Sequence, residues 1–209
     1  MPSQRACEFA RRSARATTAA LIAGCALSAI AQPAPLRGLA LQDQAARRID
    51  ATAYRGRMLL LNFVFTGCST TCPTQTLELA ALRRGLPPAL RAQVDFLSVS
   101  IDPLADTPAT LTAFARRMDA DQPGWRFATG APSQIDALTQ RLAATDPRQP
   151  QPSPADHSTA LYLFDAAGVL RQRYAGVPVD RPRLARELGD VAAPRRAHDE
   201  ISRTTTPGK

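Results

Sequence analysis

The sequence predicts an α/β domain built on a central mixed sheet with helices on both faces. Three features carry that expectation. Two apolar runs, residues 58–65 and 94–101, have the length and composition of strands buried on both faces. Each is followed by a segment whose apolar residues recur at helical spacing. Farther along, residues 158–164 and 169–174 flank Asp165-Ala166-Ala167-Gly168 and read as a hairpin.

Taken in order, residues 32–39 contain prolines and read as a linker, leading into short strand-like pieces over 39–54. Arg55-Gly56-Arg57 turns the chain into the strand over 58–65. A helix over 74–84 carries Leu77, Leu79, Ala80, Ala81 and Leu82 and stops at Gly85 and Pro87-Pro88. The second strand, 94–101, closes at Asp102-Pro103, and Thr107-Pro108 opens a helix to 118 with Leu111, Phe114 and Ala115 on its inner face. A short strand over 125–128 precedes a helix over 133–143, capped by Ser133 and packed through Ile135, Leu138 and Leu142. Pro147, Pro150, Pro152 and Pro154 make an exposed loop, and the last helix covers 181–188. Strand, helix, strand, helix, then hairpin and helix is the order of a thioredoxin-like fold, and no internal repeat interrupts it.

The termini carry most of the charge. Of the formal +8, residues 1–31 contribute four Arg against one Glu, and residues 192–209 four basic against two acidic groups, which leaves +3 for the body. With no basic stripe interleaved with aromatics, composition argues against nucleic-acid binding. Residues 1–31 read as an export signal: Arg5, Arg11, Arg12 and Arg15, then an apolar run ending in Ala29-Ile30-Ala31. The run is shorter than the roughly 20 residues that span a bilayer. Ile22-Ala23-Gly24-Cys25 also matches a bacterial lipobox, which would make Cys25 a lipid-bearing first residue, and an uncleaved anchor is the third alternative. The domain is therefore expected over 32–191 of an exported, periplasmic protein, followed by a disordered basic tail over 192–209. Mass spectrometry of protein made in an exporting host is expected to find an N-terminus at Gln32. A lipidated Cys25 or an intact Met1 would select the other two.

Cys7 and Cys25 fall in the leader, so an exported chain keeps Cys68 and Cys72. A CxxxC loop is too short to stabilise a domain by loop closure, so the pair reads as functional. It follows the strand over 58–65 and precedes Pro73, which puts both sulfurs at a helix N-terminus, where dipole and free N–H groups favour thiolate. Thiolates attack disulfides and bind soft metals, and the wide CxxxC loop suits both. Two thiolates suit Cu(I), and an added imidazole makes a site that also accepts Cu(II). The chain has two histidines. His157 opens the hairpin segment, which in a thioredoxin-like sheet lies beside the cysteine helix; from the residues alone it reads as an exposed or turn-capping histidine. His198 lies in the tail and reads as a bystander.

At four places the chain resembles the Sco/SenC family of copper-binding assembly factors for cytochrome c oxidase. These are Asn62-Phe63-Val64-Phe65-Thr66-Gly67-Cys68 through Cys72-Pro73; Ser98-Val99-Ser100-Ile101-Asp102-Pro103 through Asp106-Thr107-Pro108; Gly124-Trp125 with Thr129-Gly130; and Asp156-His157-Ser158 with Tyr162-Leu163-Phe164-Asp165 and Gly168. The resemblance implies that Cys68, Cys72 and His157 bind one copper ion, taken from an upstream copper donor. It also implies a role in building the dinuclear copper centre of cytochrome c oxidase subunit II, a membrane-associated target. Asp102 is implied as a charge near the site, with turn capping before Pro103 as its other reading.

The sequence departs from the family pattern where Ser69-Thr70-Thr71 replaces the usual Pro and Asp after the first cysteine, which removes rigidity and a negative charge from the loop. The segment before His157 is rich in Pro and Gln where relatives carry aromatic and β-branched residues. Two functions from different classes follow: a copper metallochaperone, and a thiol-disulfide oxidoreductase that uses the redox-active pair Cys68 and Cys72 to keep the target's copper-ligand cysteines reduced. Peroxidase chemistry of the related peroxiredoxin branch is disfavoured, because Thr66 and Gly67 stand where that branch has its own active-site residues.

Overall fold

Residue after residue in the strand Met58–Val64 is buried, on both faces of the sheet, which explains why its sequence shows no polar alternation. In the computed structural model the described residues are 35–145 and 157–193. Their strands are β1 (Ala40–Asp43), β2 (Arg48–Asp50), β3 (Met58–Val64), β4 (Val94–Ser100), β5 (Trp125–Thr129), β6 (Leu161–Phe164) and β7 (Leu170–Tyr174). They form one sheet in the order β2-β1-β5-β4-β3-β6-β7. β3, β4 and β5 run parallel, and the other neighbours pair antiparallel. The helices are α1 (Thr71–Gly85), α2 (Pro88–Arg91), α3 (Pro108–Arg117), α4 (Pro132–Arg141) and α5 (Arg181–Ala192).

The two-residue period of β3 and β4 divides the core. Leu60, Val64, Val94 and Phe96 face α1, α3 and α5, meeting Leu79, Leu82, Leu111, Phe114, Leu184 and Leu188. Leu59, Leu61, Phe63, Leu97 and Val99 face the other way, toward Ile135 and Leu138 of α4 and Tyr54 of a 3-10 turn. Each such side chain contributes roughly 1.5–3 kcal/mol when fully buried. The expected α/β architecture is therefore present.

Several boundaries differ from expectation. Ser133 does not cap α4, which opens at Pro132 after Ala131, since proline fits a first turn that needs no N–H. Leu36 and Leu39, within the stretch read as linker, are only 4% exposed because a turn closed by Leu39 N–H to Leu36 O (3.1 Å) tucks both into the core. Pro87-Pro88 ends one helix but starts another, since Pro88 fits the first turn of α2, where no N–H is needed. α5 continues to Ala192. α1 begins at Thr71, ahead of Pro73, for a reason that lies in the cysteines. The leader with Cys25, residues 146–156 and the tail with His198 lie outside the described residues.

Candidate metal centre

β3 and β4 are parallel and in register to their ends, where Val64 pairs with Ser100. Their carboxyl ends therefore release two loops side by side, 65–70 and 101–107, at the rim where α/β sheets commonly bind ligands. Asp106 ties the loops together. Only 1% exposed, its carboxylate accepts the Thr66 N–H (3.1 Å), the Thr66 hydroxyl (2.6 Å) and the Ser100 hydroxyl (2.6 Å). Cys68 N–H then closes a turn on Phe65 O at 3.2 Å.

The cysteines complete the helix start. Thr70, the N-cap residue of α1, makes no side-chain cap bond, and the first turn holds no acidic residue. Instead the Cys72 N–H donates to Cys68 Sγ at 3.3 Å, so a sulfur takes one of the open N–H groups of the first turn. That is why the helix starts before Pro73. Thr76 Oγ1 further donates to Cys72 O at 2.7 Å.

The two thiols differ sharply in acidity. Around Cys68, partial burial opposes ionisation, but the N–H groups of Cys72, Thr70 and Thr71 and the Cys72 thiol outweigh it and hold the pKa below the ordinary value. Burial pushes the Cys72 thiol up to about 12, against the backbone N–H of Phe65, and Cys68 and Asp106 add to the rise. Cys68 is the half-exposed, readily ionised sulfur, and Cys72 is buried in the same apolar core as Leu79, Ala80 and Leu111. Brief alkylation of the reduced, metal-free protein is expected to label Cys68 first, with a midpoint below that of a free cysteine and Cys72 unlabelled near neutral pH. Peptide mapping reads the outcome, and equal labelling or Cys72 first would contradict this geometry.

His157 is half-buried and stands edge-on to the Phe65 ring, with centroids 6.0 Å apart and planes at 79°. Phe65 is the residue after β3, so His157 and the cysteine loop share one aromatic wall. The neighbouring Ser158 anchors this segment by N–H to Ala144 O (2.7 Å) and accepts from Arg173 at 2.9 Å. Among the described residues no three His, Cys, Asp or Glu side chains stand close enough to share an ion. The structure brings Cys68 to Cys72, and connects His157 to them through Phe65.

Asp102 turns its carboxylate to its own loop, accepting Ala105 N–H at 3.4 Å, while its carbonyl accepts Ala105 and Asp106 N–H at 3.2 and 2.8 Å. That is the turn-capping role. The acid reaching the cysteine loop is Asp106, which sequence reasoning passed over as part of a motif; its signal was a carboxylate immediately before the Thr107 cap. Gln75, one turn beyond Cys72 and 2% exposed, was also missed, because a glutamine within a helix carries no mark of burial in the sequence.

The family model SCO1/SenC matches residues 36–193. A SCO1 protein homolog of Bacillus subtilis (strain 168) is 28% identical over 138 residues, 65% of this chain and 71% of the relative. A protein of Stutzerimonas stutzeri named for copper binding is 32% identical over 104 residues, and the match spans half of each chain. Among solved structures, BsSco, described as a member of the Sco family of cytochrome c oxidase assembly proteins with a disulfide switch, superposes with a TM-score of 0.61 at 25% identity, covering 73% of this chain and 90% of that one. With a thioredoxin-like sheet, a cysteine pair at the β3–α1 junction and a family model that spans nearly all the described residues, the chain belongs to the SCO1/SenC family.

Proposed function

We propose that this protein is a copper metallochaperone that carries one copper ion to the dinuclear copper centre of cytochrome c oxidase subunit II, held by Cys68 and Cys72, with His157, which stands behind Phe65 in the metal-free arrangement, closing onto the ion as the third ligand when it binds. The observation that carries the reading is the Cys68 sulfur at the first turn of α1, 3.3 Å from the Cys72 N–H. A helix N-terminus without acidic residues favours the Cys68 thiolate, and Cys72 supplies the second thiolate by releasing its proton to the soft cation on binding. Copper is the cargo here. The relatives support this reading by name, one for copper binding and one for oxidase assembly. Cys68, the more exposed sulfur, is where a partner's ligand enters, and Cys72 is the buried anchor. The export-signal pattern of residues 1–31 supports a site of action outside the cytoplasmic membrane, next to a membrane-bound target.

The acidity difference between the thiols supports a second activity for the same pair. A Cys68 thiolate attacks a disulfide in the target, forming a mixed disulfide and releasing one target thiolate. Cys72, losing its proton, displaces the second, so two electrons pass to the target and a Cys68–Cys72 disulfide remains. Titrating the reduced protein with copper against a competing chelator tests the first reading. One ion per chain, lost when the pair is oxidised, is expected. Absence of binding, with turnover of a target disulfide intact, would leave the second.

A further inference from the structure

We propose that Gln75 is a positioning residue that straps the His157-bearing segment to the cysteine helix and so sets the fit of the third ligand; this rests on the copper reading of the site. The pairing of β3 with β6 ends at Asn62 and Leu161. Residues 157–160 therefore run beyond the last ladder pair, and their backbone is held by other means. One hold is Ser158 N–H to Ala144 O. Another comes from α1: Gln75 Nε2 donates to Thr159 O at 2.5 Å and to Gly176 O at 3.0 Å.

The Gln75 amide has only one orientation available, because the Thr159 and Gly176 carbonyls that it faces can only accept; the rest of the relay agrees with it. Trp125 Nε1 can only donate, and it donates to Ser98 Oγ at 3.0 Å. The Ser98 hydroxyl then gives its proton to Asn62 Oδ1 (2.8 Å), which leaves Asn62 Nδ2 to donate to Gln75 Oε1 (2.8 Å). With its oxygen occupied, Gln75 presents its NH₂ group to the two carbonyls. All four side chains in this relay are buried. The far end is equally tight, since a Cβ on Gly176 would lie 1.5 Å from Thr159 O and 2.1 Å from Gln75 Nε2. A chain of hydrogen bonds thus fixes the carbonyl two residues from His157 against the helix turn that follows Cys72.

A residue holding the third ligand affects the oxidation state that needs imidazole more than the one satisfied by two thiolates. Supporting hydrogen bonds to ligands are worth about 10–100-fold in metal affinity. Gln75→Met keeps the side-chain length and removes the strap. In the metal-free full chain, amide exchange over residues 158–160 is expected to accelerate at least about tenfold relative to wild type, while the β3 amides change little. With metal, Cu(II) affinity is expected to fall by about tenfold and the Cu(II)–thiolate absorption band to shift, with Cu(I) affinity within about twofold. Gln75→Leu likewise removes both donors in a side chain of similar size, so it supplies the same comparison if the Met variant does not unfold cooperatively. Equal loss in both oxidation states, or no change in Cu(II) affinity and spectrum, would overturn the proposal. His157→Ala separates the two levels. If it loses Cu(II) while the Gln75 variants do not, the strap alone is wrong; if wild type and His157→Ala bind Cu(II) equally, the three-ligand reading fails and the strap with it.

Discussion

Cys68→Ser and Cys72→Ser are each expected to lose both copper oxidation states, whereas His157→Ala loses Cu(II) and largely keeps Cu(I). The physical basis is ligand softness. Two thiolates hold Cu(I) in near-linear geometry without further help, while the harder Cu(II) depends relatively more on imidazole nitrogen. Loss of one thiolate should therefore cost well over the roughly 100-fold associated with losing a supporting contact, and His157→Ala should cost Cu(II) more than about 100-fold while Cu(I) weakens by less than about tenfold. His198→Ala is expected to change neither. The titrations are done at fixed pH with chelator competition, because protons compete for all three ligands. The sign of that competition follows from Cys72: a thiol pushed up to about 12 is protonated at neutral pH and must release its proton when metal binds. Affinity should rise with pH across the neutral range, and the slope of log Kd against pH counts the protons released. Unchanged Cu(II) affinity in His157→Ala would sink the three-ligand site and favour the oxidoreductase.

The parts of the fold that the sequence made legible are those where one physical signal dominates. β3 announces itself because a strand covered on both faces is apolar at nearly every position, and β4 through the Val, Phe and Leu residues that surround Ser98 and Ser100. The cysteine pair was legible because its spacing and the strand before it leave few alternatives. What could not be read depended on distant partners. Leu36 and Leu39 look like any residues beside prolines until a turn places them under the sheet. Gln75 and Asn62 are 13 residues apart and meet only because α1 folds back across β3. Asp102 and Asp106 are both loop acids in the sequence, and register alone decides which one turns inward. Asp106 follows the turn that Asp102 caps, and so arrives beneath Thr66.

Asp106→Ala is expected to destabilise the protein and to loosen the cysteine loop together. The carboxylate accepts three donors, two of them hydroxyls that can rotate toward other acceptors. The Thr66 N–H cannot rotate and would be left without its partner just past the carboxyl end of β3, at a cost of about 1–3 kcal/mol. The void and the displaced hydroxyls bring the expected total to about 2–4 kcal/mol. For a domain of this size that lowers Tm by roughly 5–15 °C. Asp106→Asn keeps the shape and one acceptor oxygen, so a smaller loss, about 1–2 kcal/mol, is expected. The Asn variant also tests electrostatics, since Asp106 is one of the charges that raise the Cys72 thiol. Without that charge Cys72 should ionise more readily, and alkylation at Cys72 should begin at lower pH although Cys68 keeps its backbone donors. Thermal unfolding at neutral pH and pH-resolved alkylation of the same samples read both effects. A Tm for Asp106→Ala within about 2 °C of wild type would show that Thr66 does not depend on this carboxylate. In that case the loop that carries Cys68 takes its position from the turn at Phe65 and from α1 alone.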